Sequence, residues 1–167
     1  MQIRDRIKEL RRVKASDLLP NPKNWRTHPL AQQDALKGLL AEIGYADALI
    51  ARETPDGLML VDGHLRRETT PDSVVPVLVL DINEAEADKM LATLDPLAAM
   101  AEADTEALRK LVSGISTTDE NIQSLLTSVL EANDAIMLDI EPPETFPEID
   151  ENIETSFRCP KCDYEWG

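Results

Sequence analysis

The sequence has only two cysteines, two histidines and two each of phenylalanine, tyrosine and tryptophan in 167 residues. Both cysteines lie in CPKC near the end of the sequence, so they cannot staple a fold, and a disulfide framework is excluded. Nowhere does the chain approach the roughly eighteen to twenty consecutive apolar residues of a membrane helix. The opening MQIRDRIKEL lacks the apolar core of a signal peptide, which makes a cytoplasmic location the expectation. Positive charge is also scarce, and unevenly so. Residues 1–70 carry twelve Lys/Arg against ten Asp/Glu, whereas residues 71–167 carry five against twenty-two. The first thirty residues alone hold eight basic against three acidic. A basic face followed by an acidic tail describes the chain better than its net charge of −15 does.

The length fits one ordinary domain with an appendage. MQIRDRIKELRR spaces its apolar residues as a short helix would, and VKASDLL follows as a plausible first strand. The prolines and asparagines of PNPKNWRTHP forbid regular structure there. Leu30, Ala35, Leu36, Leu39, Leu40 and Ile43 mark one face of a helix, and Gly44 stands where a left-handed C-cap is wanted. ALIARE and LMLVDG, joined by TPDG, predict a β-hairpin. A short helix from about Gly63 to Thr69 follows, then VVPVLVLDI as a strand buried on both faces. Asn83 caps a helix expected to stop at Asp95-Pro96. Two more helices, one from near Asp104 and one after a capping box in TTDE, predict a helical hairpin. The proline-rich, acidic stretch up to Ser156 reads as a flexible linker. The expected organisation is therefore a domain over 1–100, a helical hairpin over 101–133, an acidic linker over 134–156 and a knuckle-like tail over 157–167.

The chemistry concentrates in LVDGHLRRETT, where a strand gives way to a short helix. Gly63 permits a sharp turn, the amides after it can face an anion, and Arg66 and Arg67 can add charge-assisted hydrogen bonds. A phosphate site and an ordinary helix start with surface ion pairs both fit this pattern. Asp62, Glu68 and His64 are the nearby groups capable of acid–base or metal-assisted hydrolysis, although Glu68 equally suits an ion pair with an arginine on its own helix. Cys159 and Cys162 have the spacing of half a zinc site.

The order strand, LLPNPKNWR, helix, hairpin ending in VDGHLRRE, then VVPVLVLD resembles the N-terminal domain of the ParB/sulfiredoxin superfamily over about Val13 to Asp95. VDGHLR, LATLDP and CPKCDYEW are similar to segments of ParB-like proteins of phages and mobile elements. The resemblance implies an α/β domain, a small mixed sheet with helices, that binds a phosphate-bearing ligand, nucleotide or nucleic acid. Its site would comprise Asn21, Asn24 and Arg26 in the loop with Gly63, His64, Arg66 and Arg67 in the box. Sulfiredoxin carries a catalytic cysteine before the histidine, where this chain has Gly63, so sulfinic-acid reduction is not expected. CTP binding in chromosome-partitioning ParB also uses an arginine box on the helix after the last strand, and here that helix reads DKMLATLDPLAAM, without arginine. No helix-turn-helix reader follows, since residues 104–132 offer only Arg109 and Lys110 to a phosphate backbone. Two other readings stand beside binding: an interaction module whose acidic tail docks a DNA-modifying enzyme or another basic partner, and a nuclease or nucleotide hydrolase. For the tail, either a second copy in a homodimer completes a shared zinc site or the knuckle is vestigial.

Overall fold

The valines of VVPVLVL make the strand around which the protein is built. The computed structural model of the chain describes residues 2–136 and 157–166, and it divides into two units, Met1–Ile136 and Met137–Gly167. In the first unit β1 (Ile7–Lys14), β2 (Leu49–Thr54), β3 (Gly57–Asp62) and β4 (Val74–Leu80) form one sheet in the order β1-β4-β2-β3. β4 runs antiparallel to β1 and parallel to β2, and β2 and β3 form the antiparallel hairpin that TPDG predicts. The sheet is therefore mixed, as expected for this α/β class. Pro76 is tolerated in a central strand because the β2 pairing begins only at Val77, leaving the proline with β1 alone as neighbour. Val75, Val77 and Val79 join Leu18, Leu49, Ala51 and Leu60 in the core.

β1 replaces the expected first helix. Its exposed IKELRRVK has weak local preference, and the ladder to the strongly β-forming β4 overrides it. The strand is an edge covered by charge, with Lys8 and Arg11 both reaching Glu53 of β2, at 2.5 and 2.6 Å. These cations hold the Glu53 carboxyl below its ordinary value. Arg6 likewise grips Glu86, whose pKa falls to about 2 chiefly through that hydrogen bond. Of VKASDLL only Val13 and Lys14 are strand, as the end of β1: Ala15–Asp17 is a 3-10 turn, and Leu19 bridges to Met59 beyond it.

Five helices complete the unit: α1 (Leu30–Glu42), α2 (His64–Thr69), α3 (Glu84–Ala99), α4 (Thr105–Ser113) and α5 (Glu120–Ala132). Gly44 follows α1 with φ 85°, and Asn83 closes a capping box with Glu86. α3 passes through Pro96 instead of stopping at it, since the lost ladder bond is local and Met100 N donates to the Pro96 carbonyl at 3.1 Å. α5 is capped by Asp119, whose carboxylate accepts from the amides of Asn121 and Ile122, at 2.9 and 3.0 Å. The expected cap Thr117 donates to Glu42 instead, because a carboxylate serves two amides and favours the helix dipole. Gly38 makes room for this cap, since a Cβ there would lie 2.8 Å from the Asp119 carboxyl carbon. α5 thus lies along α1 and also touches α4, so the expected hairpin is packed on the first helix of the domain. Ala135, 1% exposed, is still part of this unit. Of the linker expected over 134–156, residues 137–156 lie outside the described residues.

The second unit's described residues form a hairpin of β5 (Phe157–Arg158) and β6 (Glu165–Trp166). Among the described residues no helix is long and apolar enough to cross a membrane.

Candidate functional site

Gly63 sits between β3 and α2 with φ 96°, a left-handed turn open to glycine. A Cβ there would approach Leu49 to 2.6 Å, so the box is also pressed against the core. The turn opens onto a cleft of about 290 Å³. Its walls come from the loop after the 3-10 turn (Asn24, Arg26, His28), from α1 (Gln32, Leu36), from the box (Asp62, Gly63, His64, Arg66) and from α3 (Met90, Leu91, Leu94, Asp95).

His64 is 6% exposed, and its Nε2 accepts a hydrogen bond from the Asn21 amide at 3.2 Å. This bond requires a neutral ring with the proton on Nδ1 and ties the PNPK loop to the box. The side chain of Asn21 is also engaged, accepting from the Lys23 amide at 2.9 Å. Burial pushes the His64 pKa below its ordinary 6.5, partly offset by the charges of Glu68 and Asp62. Below pH 6.5 the unfolded chain therefore takes up a proton that the folded chain resists until its lower pKa is reached. The contribution is complete above pH 6.5 and shrinks as the pH falls through that window. His64→Gln is expected to flatten the acid limb of a stability–pH curve measured by urea unfolding. Parallel curves for parent and variant would show that His64 contributes nothing to it.

Arg66 bonds to Asp47 at 2.5 Å and to Asp62 at 2.9 Å, and its guanidinium holds the Asp47 carboxyl below its ordinary value. Arg67 does not join the cleft. Its Nε donates to the Leu18 carbonyl at 2.8 Å and secures the chain at this fully buried residue just after the 3-10 turn. Glu68 is exposed and outside the cleft walls. The three candidates for acid–base work are thus dispersed: the His64 lone pair is occupied, Asp62 holds Arg66, and Glu68 faces solvent. α2 spans six residues, too short for a strong dipole, so anion recognition rests on side chains more than on the helix-start amides.

Among the described residues three buried side-chain nitrogens lack a hydrogen-bond partner, Arg109 Nε on α4 and one each in Arg26 and His28, which line the cleft. Arg26 Nη1 pairs with Asp95 at 2.6 Å and its guanidinium lies 4.9 Å above the Trp25 ring, yet its buried Nε has no hydrogen-bond partner. His28 Nδ1 meets Gln32 Oε1 at 3.2 Å, and its Nε2 is buried without a partner. Buried polar atoms are nearly always satisfied, so two such atoms in residues that line one cleft are informative. Sequence reasoning passed over His28, Gln32 and Met90. LATLDP, singled out as a motif, supplies Leu91, Leu94 and Asp95 to the cleft.

The basic face expected over the first thirty residues is largely neutralised. Lys8 and Arg11 are paired as above, and Lys14, Lys23 and Arg26 bind Asp72, Glu84 with Asp88, and Asp95.

In the tail, Cys159 and Cys162 are free thiols in the turn of the β5–β6 hairpin. Among the described residues no group of three or more potential metal ligands is present.

No protein-family model and no curated protein matches the sequence. The fold is similar to that of C-terminally truncated chromosome-partitioning protein ParB from Caulobacter crescentus complexed with CTP-γ-S, with a TM-score of 0.55 and 18% identity over 76% of this chain and 89% of that one. The same protein complexed to the centromeric parS site scores 0.44, at 18% identity over 75% and 70% of the two chains. A Pnob8-like ParB-N domain scores 0.43, at 16% identity over 78% and 50%. The last two scores carry no weight. The first supports the fold: this chain has the architecture of a ParB N-terminal domain.

Proposed function

We propose that the protein binds a nucleotide in the cleft between the 24–28 loop, the Gly63 box and α3. The observation that carries this reading is the pair of buried, unpartnered nitrogens, Arg26 Nε and His28 Nε2, in residues lining one cleft. The Arg26 guanidinium suits phosphate oxygens, and with the His28 proton on Nδ1 toward Gln32 Oε1 the His28 Nε2 is an acceptor fit for a ligand hydroxyl. The facing wall of Leu36, Met90, Leu91 and Leu94 is apolar and suits a base. The fold's likeness to a ParB complexed with CTP-γ-S supports the same class of ligand.

The site differs from a purely cationic one. Arg26 and Arg66 face Asp95 and Asp62 across the same space, so bare polyphosphate would meet two carboxylates. A divalent cation bridging phosphate and carboxylate removes that repulsion, which makes a magnesium-bound nucleotide the fitting form. The site residues of this reading are Asn24, Arg26, His28, Gly63 and Arg66. Asn21, His64 and Arg67 support them from behind. The likeness of VDGHLR, LATLDP and CPKCDYEW to ParB-like proteins of phages and mobile elements supports a role beside the DNA of such an element, with a DNA-modifying enzyme as the partner to test by co-purification.

Nucleoside triphosphates with magnesium, at about 100 times their dissociation constant, are expected to add about 2.7 kcal/mol of stability. For a chain of this size that is a rise in melting temperature of roughly 5–10 °C. A short DNA duplex in a parallel arm tests the nucleic-acid form, and its effect would fall with added salt. No shift from any nucleotide would sink the proposal, and a shift from DNA alone would move the ligand to another surface.

A further inference from the structure

The C-terminal hairpin is organised around sulfur. Cys159 N donates to the Tyr164 carbonyl at 2.7 Å, Asp163 N donates back to the Cys159 carbonyl at 2.9 Å, and Asp163 takes a left-handed φ of 59°. The turn so formed carries both free thiols between the two strands of the hairpin. Two thiols two residues apart, presented by one tight turn, match half of a tetrahedral zinc site. Among the described residues nothing completes it. Of the two histidines, His64 is committed to the Asn21 amide.

We propose that Cys159 and Cys162 bind zinc together with the same two residues of a second copy of this chain, giving a four-thiolate site on the symmetry axis of a dimer. A second observation points to the same occupant. Phe157, Tyr164 and Trp166 stay 61%, 68% and 46% exposed although they stack in a row, with ring centroids 6.0 and 6.3 Å apart. Half of the chain's aromatic residues lie in this hairpin, and a second hairpin meeting it at the zinc would cover them. Each chain carries a net charge of −15, so the copies repel, and the metal supplies what the contact by itself lacks.

The test uses the full chain with zinc as the only added metal. Zinc content and mass in solution are measured with and without chelator, and cobalt is substituted to read the coordination sphere. About half a zinc per chain is expected, in a dimer that chelator converts to monomer, with the visible absorption of a tetrahedral cobalt–thiolate centre. Cys162→Ser is expected to lose metal and dimer together while the melting of the first unit stays unchanged. One zinc per monomer, a dimer indifferent to chelator, or a metal-free monomer with two fully titratable thiols would each overturn the shared site.

Discussion

Gly63→Ala is expected to destabilise the domain by about 2–5 kcal/mol, a large share of the roughly 5–15 kcal/mol typical of a folded protein. Two costs combine. A side chain at φ 96° sits in a left-handed region that costs about 1–2 kcal/mol outside glycine. The added carbon would also lie 2.6 Å from Leu49 Cγ and 3.1 Å from its Cβ, and overpacking of this kind costs about 1–3 kcal/mol. Leu49 is fully buried between strands and has nowhere to retreat. Urea unfolding measures the loss directly. Leu49→Ala alone should cost about 2–5 kcal/mol as a cavity. The double variant should cost clearly less than the sum, because the new methyl enters the space the leucine vacates. Strict additivity would show that the turn and the core are not in contact as described.

Arg26→Ala is expected to weaken magnesium–nucleotide binding by roughly 10- to 100-fold, the worth of a hydrogen bond to a charged group. The domain should stay folded, because Arg26 is half-exposed and its one ion pair is with Asp95. Arg26→Lys keeps the charge but lacks the Nε donor, so it should recover only part of the affinity. Arg67→Ala should do the reverse, lowering stability through the lost bond to the Leu18 carbonyl with affinity nearly intact. Titration calorimetry of the three variants separates these effects. Equal affinity in parent and Arg26→Ala would remove the unpartnered nitrogen as the mark of the site.

Where the chain carried a strong local signal, the sequence led to the element. Asp56-Gly57 between two apolar runs yields the β2–β3 hairpin, six apolar residues at helical spacing yield α1, and the valines of β4 yield a buried strand. Gly63 marks the turn that the cleft needs, and Arg26 was already a candidate. The reading failed where the chain is weakly biased. β1 is charged and exposed, so its conformation is set by the partner that offers it hydrogen bonds. Thr117 and Asp119 both look like caps, and the one that sits over Gly38 takes the role.

The sequence by itself determined the elements of the α/β domain that have strong local preferences, the position of the glycine turn, the uneven charge and the paired thiols, because glycine, proline, β-branched residues and spacing act over a few neighbouring positions. Which of the clustered cations stay available was decided only by the tertiary structure. Adjacent in sequence, Arg66 and Arg67 diverge, one to Asp47 and Asp62 and the other to the Leu18 carbonyl. Arg26 and His28, from a loop with no regular structure, instead bring unpartnered nitrogens to the cleft. The reason is physical: an arginine's partner is whatever acceptor lies within reach of its long side chain, and chain folding brings that acceptor from tens of residues away.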